Sequence, residues 1–230
     1  RNIRSLLAQN PKVKLSSNLI LRKSPRFILL KSMIRNGDLG EIFYVEGDYN
    51  YGRLSKLLTG WRGKMPAYSL VYGGGVHIID LLHWLTADQI EEVDAAGNRI
   101  VTRSGRSKNF DMVVALLRFR SGVVGKMSVN GGCVYPHFHK LSIYGTSSTF
   151  ENGLDCGMLF QTRDAAQAPT KIDAPYPGAH KGDLIKGFID AILNSQEPEV
   201  TTEDVFRSLS VCFAIEQSAH KSKPVRVEYI

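Results

Sequence analysis

The sequence predicts an α/β protein of the α+β kind: a large, open, mostly antiparallel sheet with helices on one face. Three observations predict it. Strand-like segments follow one another near 90–102, 110–120, 122–131, 138–145 and 156–163, joined by turns such as Arg120-Ser121-Gly122 and Gly145-Thr146-Ser147-Ser148. Short links between consecutive strands mean antiparallel pairing. Two segments near the C-terminus, 181–194 and the one starting at Thr201-Thr202-Glu203-Asp204, instead carry apolar residues at helical steps.

In chain order, Ile3–Leu7 reads as the end of a helix, stopped by Asn10-Pro11. The segment VKLSSNLILR at 13–22 reads as a short buried strand. A helix and strand at the outset suggest the tail of an α/β domain already under way over residues 1–22. Ser24-Pro25 starts a helix with Phe27, Leu30, Met33 and Ile34 on one side, closed by Gly37. Residues 40–52 alternate, with Ile42, Tyr44 and Glu46 on one face and Phe43, Val45 and Gly47 on the other, as a strand does. In 181–194 the stripe Leu184, Ile185, Phe188, Ile189, Ile192 and Leu193 is expected to be buried. The following helix has the stripe Val205, Leu209, Cys212, Phe213 and Glu216, and a strand at 224–229 ends the chain. The expected sheet has about five to seven strands. Its uncovered face would be an association surface, so an oligomer is expected.

The chain has 230 residues, 43% of them hydrophobic, which suits one large domain or slightly more. No apolar run reaches the roughly 18 residues of a membrane helix, so no membrane partner is expected. Three widely spaced cysteines, Cys133, Cys156 and Cys212, form no metal or CxxC pattern and read as free thiols of a cytoplasmic protein. The net charge of +7 is uneven: residues 1–64 hold 13 Lys and Arg against four Asp and Glu. That imbalance suggests either an anionic ligand or a solvated basic face. No nucleic-acid recognition module is present.

The best candidate for chemistry is GGGVHIIDLLHWL at 73–85. Gly73, Gly74 and Gly75 permit close approach and positive φ. The helix after them is apolar almost all round, so it is buried. Within it His77 and Asp80 share a face, as do Asp80 and His83. His77 sits in the first turn, and its ordinary pKa near neutrality suits proton transfer. On composition alone, the preferred reading is a buried His–Asp pair that only satisfies itself. His137 and His139 alternate on a strand and face one way; a polar sheet face or a metal pair would both explain them.

SNLILRKSPRF, MIRNGDLGEIFYVEGDYNY, GWRG, GGGVHIIDLLHWLTA, HKLSIYGTSSTFE and the run Pro198–Asp204 resemble, in order and spacing, the second part of the glucose–fructose oxidoreductase / inositol dehydrogenase / rhizopine-catabolism (Gfo/Idh/MocA) family. The resemblance runs the length of the chain. It implies the C-terminal fold of dihydrodipicolinate-reductase-like and glyceraldehyde-3-phosphate-dehydrogenase-like proteins over 23–230, serving substrate binding and oligomerisation. Residues 1–22 would then be the tail of a Rossmann dinucleotide-binding domain. The implied activity is hydride transfer between NAD or NADP and a sugar, sugar-nucleotide or cyclitol hydroxyl.

Carried over by position, His77 matches the histidine that exchanges a proton with the substrate, and Asp80 the acidic residue one turn later. Arg22 matches a position beside nicotinamide and substrate. Trp61 and Arg62 match a loop bordering the pocket, with Gly74 and Gly75 at the substrate. Two departures stand out. Many members have Asp-x-Gly-x-His, and Gly73 stands where the aspartate would be. The phosphate-binding G-x-G-x-x-G and the Glu-Lys-Pro tripeptide with its catalytic lysine are absent from this sequence, and Lys64 does not match that lysine. The competing expectation is a sugar-binding or oligomer-forming module without turnover of its own.

Overall fold

One nine-stranded sheet organises the molecule, two strands more than the upper expectation. A computed structural model describes residues 2–65, 68–104 and 109–230. The strands are β1 (Ile42–Asn50), β2 (Ile90–Asn98), β3 (Met112–Phe119), β4 (Val124–Asn130), β5 (Phe138–Gly145), β6 (Thr149–Asn152), β7 (Gly157–Phe160), β8 (Thr170–Ile172) and β9 (Val225–Arg226). Their order across the sheet is β8-β7-β6-β5-β1-β4-β3-β2-β9. Every neighbouring pair is antiparallel except β1 with β4. The strands missed from sequence, β6 and β8, have four and three residues. Such segments are too short to show a period, and only their neighbours define them.

The helices are α1 (Asn2–Gln9), α2 (Pro25–Arg35), α3 (Leu54–Leu58), α4 (Trp61–Lys64), α5 (Val76–Thr86), α6 (Asp183–Leu193) and α7 (Thr202–Lys221). Among the described residues, no helix is long and apolar enough to cross a membrane. Helix α2 starts at Pro25 and buries Phe27, Leu30 and Met33, as its spacing predicts; Gly37, at φ 82°, turns the chain toward β1. Helix α7 begins with a capping box, in which the Thr201 hydroxyl accepts from the Asp204 N–H and the Asp204 carboxylate from the Thr201 N–H.

Helix α5 lies across the sheet centre because glycines let it. A Cβ on Gly47 of β1 would collide with the Ile78 side chain, and one on Gly75 would lie 2.8 Å from Met127 Cε of β4. Side chains of Ile78, Ile79, Leu81, Leu82 and Leu85 are all sealed from solvent here, with Val45, Met127 and Val129 beneath them. Each such residue contributes roughly 1.5–3 kcal/mol by leaving water. The opposite face of the sheet is only partly apolar. Glu46, Lys126 and Leu116 lie in one cross-strand row, and Asp48, Ser128 and Val114 in the next. Lys126 bonds Asp48, and Ser128 Oγ donates to it at 2.6 Å.

Three expectations are corrected. Residues 13–22 form no strand: they run as an irregular segment into a 3-10 turn at Ile20–Lys23. The segment meets helices rather than a sheet edge. Ser16 Oγ donates to the Val200 carbonyl and Asn18 Nδ2 to that of Lys181, while Leu19 packs with Leu184, Val200 and Val205. The stripe of α6 is not buried as a whole. Leu184 is covered, but Ile185, Ile189, Ile192 and Leu193 are 45–76% exposed, because no element of the described chain packs on that side. In α7 the buried side is wider than the expected stripe and is made largely of small residues, Ser208, Ser210, Ala214, Ser218 and Ala219, while Phe213 is exposed. Small side chains bring that helix close to β2, where Ser218 Oγ accepts from the Ala95 N–H.

Enlarging the contact between α5 and β1 tests this packing. Gly47→Ala is expected to cost about 1–3 kcal/mol in urea unfolding, since Ile78 and the helix must shift. Gly187→Ala on α6, where nothing lies within 4 Å, should be neutral or slightly stabilising.

Candidate active site

The polypeptide enters α5 through a π-helical turn, Val71–Gly75, without a break. None of Gly73, Gly74 and Gly75 has positive φ, so that part of the expectation is not met. Their role is close packing. A Cβ on Gly74 would lie 2.5 Å from Tyr49 Cε1, and one on Gly75 would meet Met127 and Val129. The side-chain positions of the two glycines expected at the substrate are therefore taken up by the protein itself. At Gly73 the space of a side chain is filled by the Tyr68 hydroxyl. An aspartate there would require Tyr68 to move.

His77 follows directly. Its ring stacks at 16° on Tyr49, with centroids 6.4 Å apart. Tyr49 is paired with His139 across β1 and β5, and this pairing builds the rest of the site. His139 lies 5.1 Å from Tyr49, 5.1 Å from His137 and 6.5 Å from His77. Tyr51 stacks on Tyr49 at 6.0 Å and meets His137 edge-on. His139 of β5 and His137, which lies just before that strand, thus face the helix side and join His77. Among the described residues no group of three or more His, Cys, Asp or Glu is placed to hold a metal ion.

Burial, helped by the neighbouring His137, lowers the His77 pKa to about 4. The ring is therefore neutral over the physiological range, with its basicity reduced from the near-neutral value expected from sequence. Its Nδ1 is buried with no hydrogen-bond partner. Burial, with His137, His77 and Arg53 acting in the same direction, brings His139 to about 3.

Asp80 makes no hydrogen bond to His77. Its carboxylate is held by Arg22, with Nε to Oδ2 at 2.9 Å and Nη2 to Oδ1 at 2.5 Å. Arg22 also donates through Nη1 to Asp204 at 3.1 Å and to the Glu199 carbonyl. Arg22 and Asp80 are 4% and 1% exposed. The two residues expected near cofactor and catalysis are thus brought together with each other, in a clasp between the 3-10 turn, α5 and α7. Breaking one partner of such a pair leaves a buried charge and costs about 3–5 kcal/mol. His83 is likewise turned away, with Nδ1 2.8 Å from the Asp88 carbonyl.

Trp61 and Arg62, expected at the pocket border, meet Tyr68, whose hydroxyl lies beside Gly73. The Arg62 guanidinium lies 4.4 Å over the Trp61 ring, and its Nε donates to the Tyr68 hydroxyl at 3.2 Å. Trp61 itself is 57% exposed, so its indole faces outward. Tyr49, Tyr51, Tyr68 and Tyr176 were not singled out from sequence. The one available signal was the YNY that closes the β1 motif, with two tyrosines on the face of Val45 and Gly47.

The buried neutral histidines make stability depend on pH. His77 and His83 at about 4, and His139 at about 3, take up protons on unfolding once the pH drops below their ordinary 6.5. Stability is complete above 6.5 and falls toward 4, by about 1.4 kcal/mol per pH unit for each histidine. Urea unfolding between about pH 7 and pH 5 should show this slope, and His83→Gln should reduce it. A flat profile would contradict the neutral assignment.

Comparison with known proteins agrees with this architecture. Residues 31–227 match the family model described as the oxidoreductase family, C-terminal alpha/beta domain, of the Gfo/Idh/MocA group. A myo-inositol 2-dehydrogenase of Thermotoga maritima is 21% identical over 160 residues, covering 67% of this chain and 48% of the relative. The structure of a putative oxidoreductase from Thermotoga maritima superposes with a TM-score of 0.81 at 20% identity, covering 98% of this chain and 67% of the other. A scyllo-inositol dehydrogenase from Lactobacillus casei, with bound NAD(H) and scyllo-inositol, gives 0.73 at 16% identity, covering 97% and 67%. The chain spans about half the length of the curated relatives it matches. With the family model spanning nearly all of the sheet and the helices around His77, the chain belongs to the Gfo/Idh/MocA oxidoreductase family and carries its C-terminal α/β domain.

Proposed function

We propose that this chain supplies the proton-accepting and substrate-holding part of an NAD- or NADP-dependent dehydrogenase acting on a hydroxyl of a sugar, sugar nucleotide or cyclitol. The observation that carries the reading is His77. A neutral imidazole with no partner on Nδ1 stands among tyrosine and histidine rings, at the start of the helix that packs on the sheet centre. A bound nicotinamide would supply the hydride acceptor for the carbon bearing the hydroxyl. His77 takes the hydroxyl proton as the C–O bond becomes a carbonyl, and Tyr49 keeps its ring in place by stacking. The family and the NAD(H)-bound neighbour support the cofactor. Arg22 has its donors committed to Asp80, Asp204 and Glu199, and the described residues contain no glycine-rich phosphate loop. We therefore place the main nucleotide site outside them.

That same observation favours a second reading for the chain by itself, as a sugar-binding or oligomer-forming module without turnover. Assaying the 230-residue chain by itself and joined to a dinucleotide-binding domain separates the two. With NAD+ or NADP+ and a panel of myo-inositol, scyllo-inositol and levoglucosan, the joined protein should oxidise at least one polyol. His77→Ala should lower kcat/KM about 100-fold or more while leaving NAD(H) binding intact. Undiminished turnover in that variant would overturn the assignment of His77.

We also infer a homo-oligomer, dimer or tetramer, joined through the uncovered sheet face, where Val114 and Leu116 are 37% and 38% exposed. Leu116→Lys should shift the species seen by light scattering toward monomer; an unchanged mass would count against that face. The three cysteines are free, which fits a cytoplasmic location. Recovery of the protein from a secreted fraction would refute it.

A further inference from the structure

Beside His77 stands a second imidazole whose hydrogen-bonding state the fold fixes. We propose that His139 contacts the substrate as a hydrogen-bond donor, with Tyr176 holding its proton on Nε2, and binds a second oxygen of the polyol whose reacting hydroxyl faces His77. This rests on the dehydrogenase reading above and goes further, by naming a binding residue, its tautomer and the residue that sets it.

The geometry of Tyr176 decides the tautomer. Its phenol oxygen accepts from the His139 backbone N–H at 3.0 Å and lies 2.6 Å from His139 Nδ1. The oxygen already accepts one hydrogen bond, and among the described residues Nδ1 is the acceptor within reach of its own proton, so in this proposal that proton stays on the phenol and the single imidazole proton is on Nε2. Burial holds the Tyr176 phenol well above its ordinary pKa, so it keeps the proton it donates. Burial also keeps the His139 ring neutral, with His77, His137 and Arg53 adding to the effect.

Tyr176 is itself held from several sides. Phe27 and Phe138 meet its ring edge-on at 5.4 and 5.2 Å, and the Arg26 guanidinium lies over it at 5.5 Å. Arg26 is 2% exposed and is fixed by the carbonyls of Ala174, Gly153 and Asp155 and by Asn152 Oδ1. Asn152 closes the loop by donating to the His139 carbonyl at 2.8 Å. A buried arginine, an asparagine and a tyrosine thus converge on one histidine of β5. For sheet stability alone, an apolar residue at position 139 would serve without them.

What the network delivers is an Nε2–H without a partner among the described residues, on a ring 6.5 Å from His77. Neighbouring oxygens of one polyol, each bonded at about 2.9 Å, bridge that separation. His77 accepts and His139 donates, so a hydroxyl pair is read with a defined polarity. Tyr176 is a positioning residue: it acts on substrate through His139.

Two measurements on the catalytically competent protein test this. Nitrogen-15 imidazole spectra should show His139 as the neutral Nε2–H tautomer from about pH 8 to pH 5, and Tyr176→Phe should give a tautomer mixture. An Nδ1–H or a charged ring in the unmodified protein would overturn the proposal, whatever the substrate. In kinetics with the polyol oxidised fastest in the panel above, His139→Leu should raise KM about tenfold or more, with a smaller change in kcat. His139→Gln, which keeps a donor, should recover part of the loss, and Tyr176→Phe should fall between. An unchanged KM in His139→Leu, with His77→Ala inactive, would sink this inference and leave the dehydrogenase reading standing. Turnover by His77→Ala would instead sink that reading, while the tautomer spectra would still decide the state of His139.

Discussion

The close approach of α5 to the sheet is the constraint on which the rest of the molecule depends. Gly47 and Gly75 remove the two side chains that would hold the helix off β1 and β4. Ile78 and Met127 then fill the space, and the apolar side of α5 is sealed. Because a helix so placed cannot rotate without burying charge or exposing leucines, the direction of every residue on it is set. His77 comes to lie on Tyr49, and Asp80, one turn further on, enters the clasp with Arg22 and Asp204.

That clasp connects parts of the chain distant in sequence. A guanidinium from the 3-10 turn meets carboxylates from α5 and α7, all with little solvent. Burial of the carboxylate would push Asp204 up, but its bonds to Arg22 and Thr201 outweigh this and leave its pKa lowered. The pair fastens the irregular segment 13–22 to the helical layer, while the rings around Tyr49 are assembled from different residues. On this helix the candidate proton acceptor and the ion-pair clasp are one helical turn apart.

The candidate site is rich in tyrosine and histidine, in an environment that keeps the histidines neutral. Burial is the largest influence on His77, His137 and His139, and their nearest charged neighbours are cations or one another. In such surroundings hydrogen-bond direction is controlled by tautomer rather than by charge. The phenol of Tyr176 gives that control at His139. His77 has no such partner on Nδ1. The two rings are alike in chemistry but differ in what the protein does to them.

Most element types, the buried α5 helix, the glycines at its entry, His77 on its first turn and the family resemblance are legible in the sequence, because these depend on local spacing and on residue order. The sequence overestimated order at 13–22 and burial on α6, because local apolarity states that a residue can be covered but not by what. Only the tertiary structure decided who meets whom. Asp80 sits one turn from His77 on the same helix, yet Arg22, 58 residues away, takes its carboxylate. His139 looked like an ordinary strand residue until the register of β1 with β5 set it opposite Tyr49 and the segment after β8 brought Tyr176 to its Nδ1. A side chain's partner, its burial and hence its protonation state come from long-range pairing, and no local pattern encodes these.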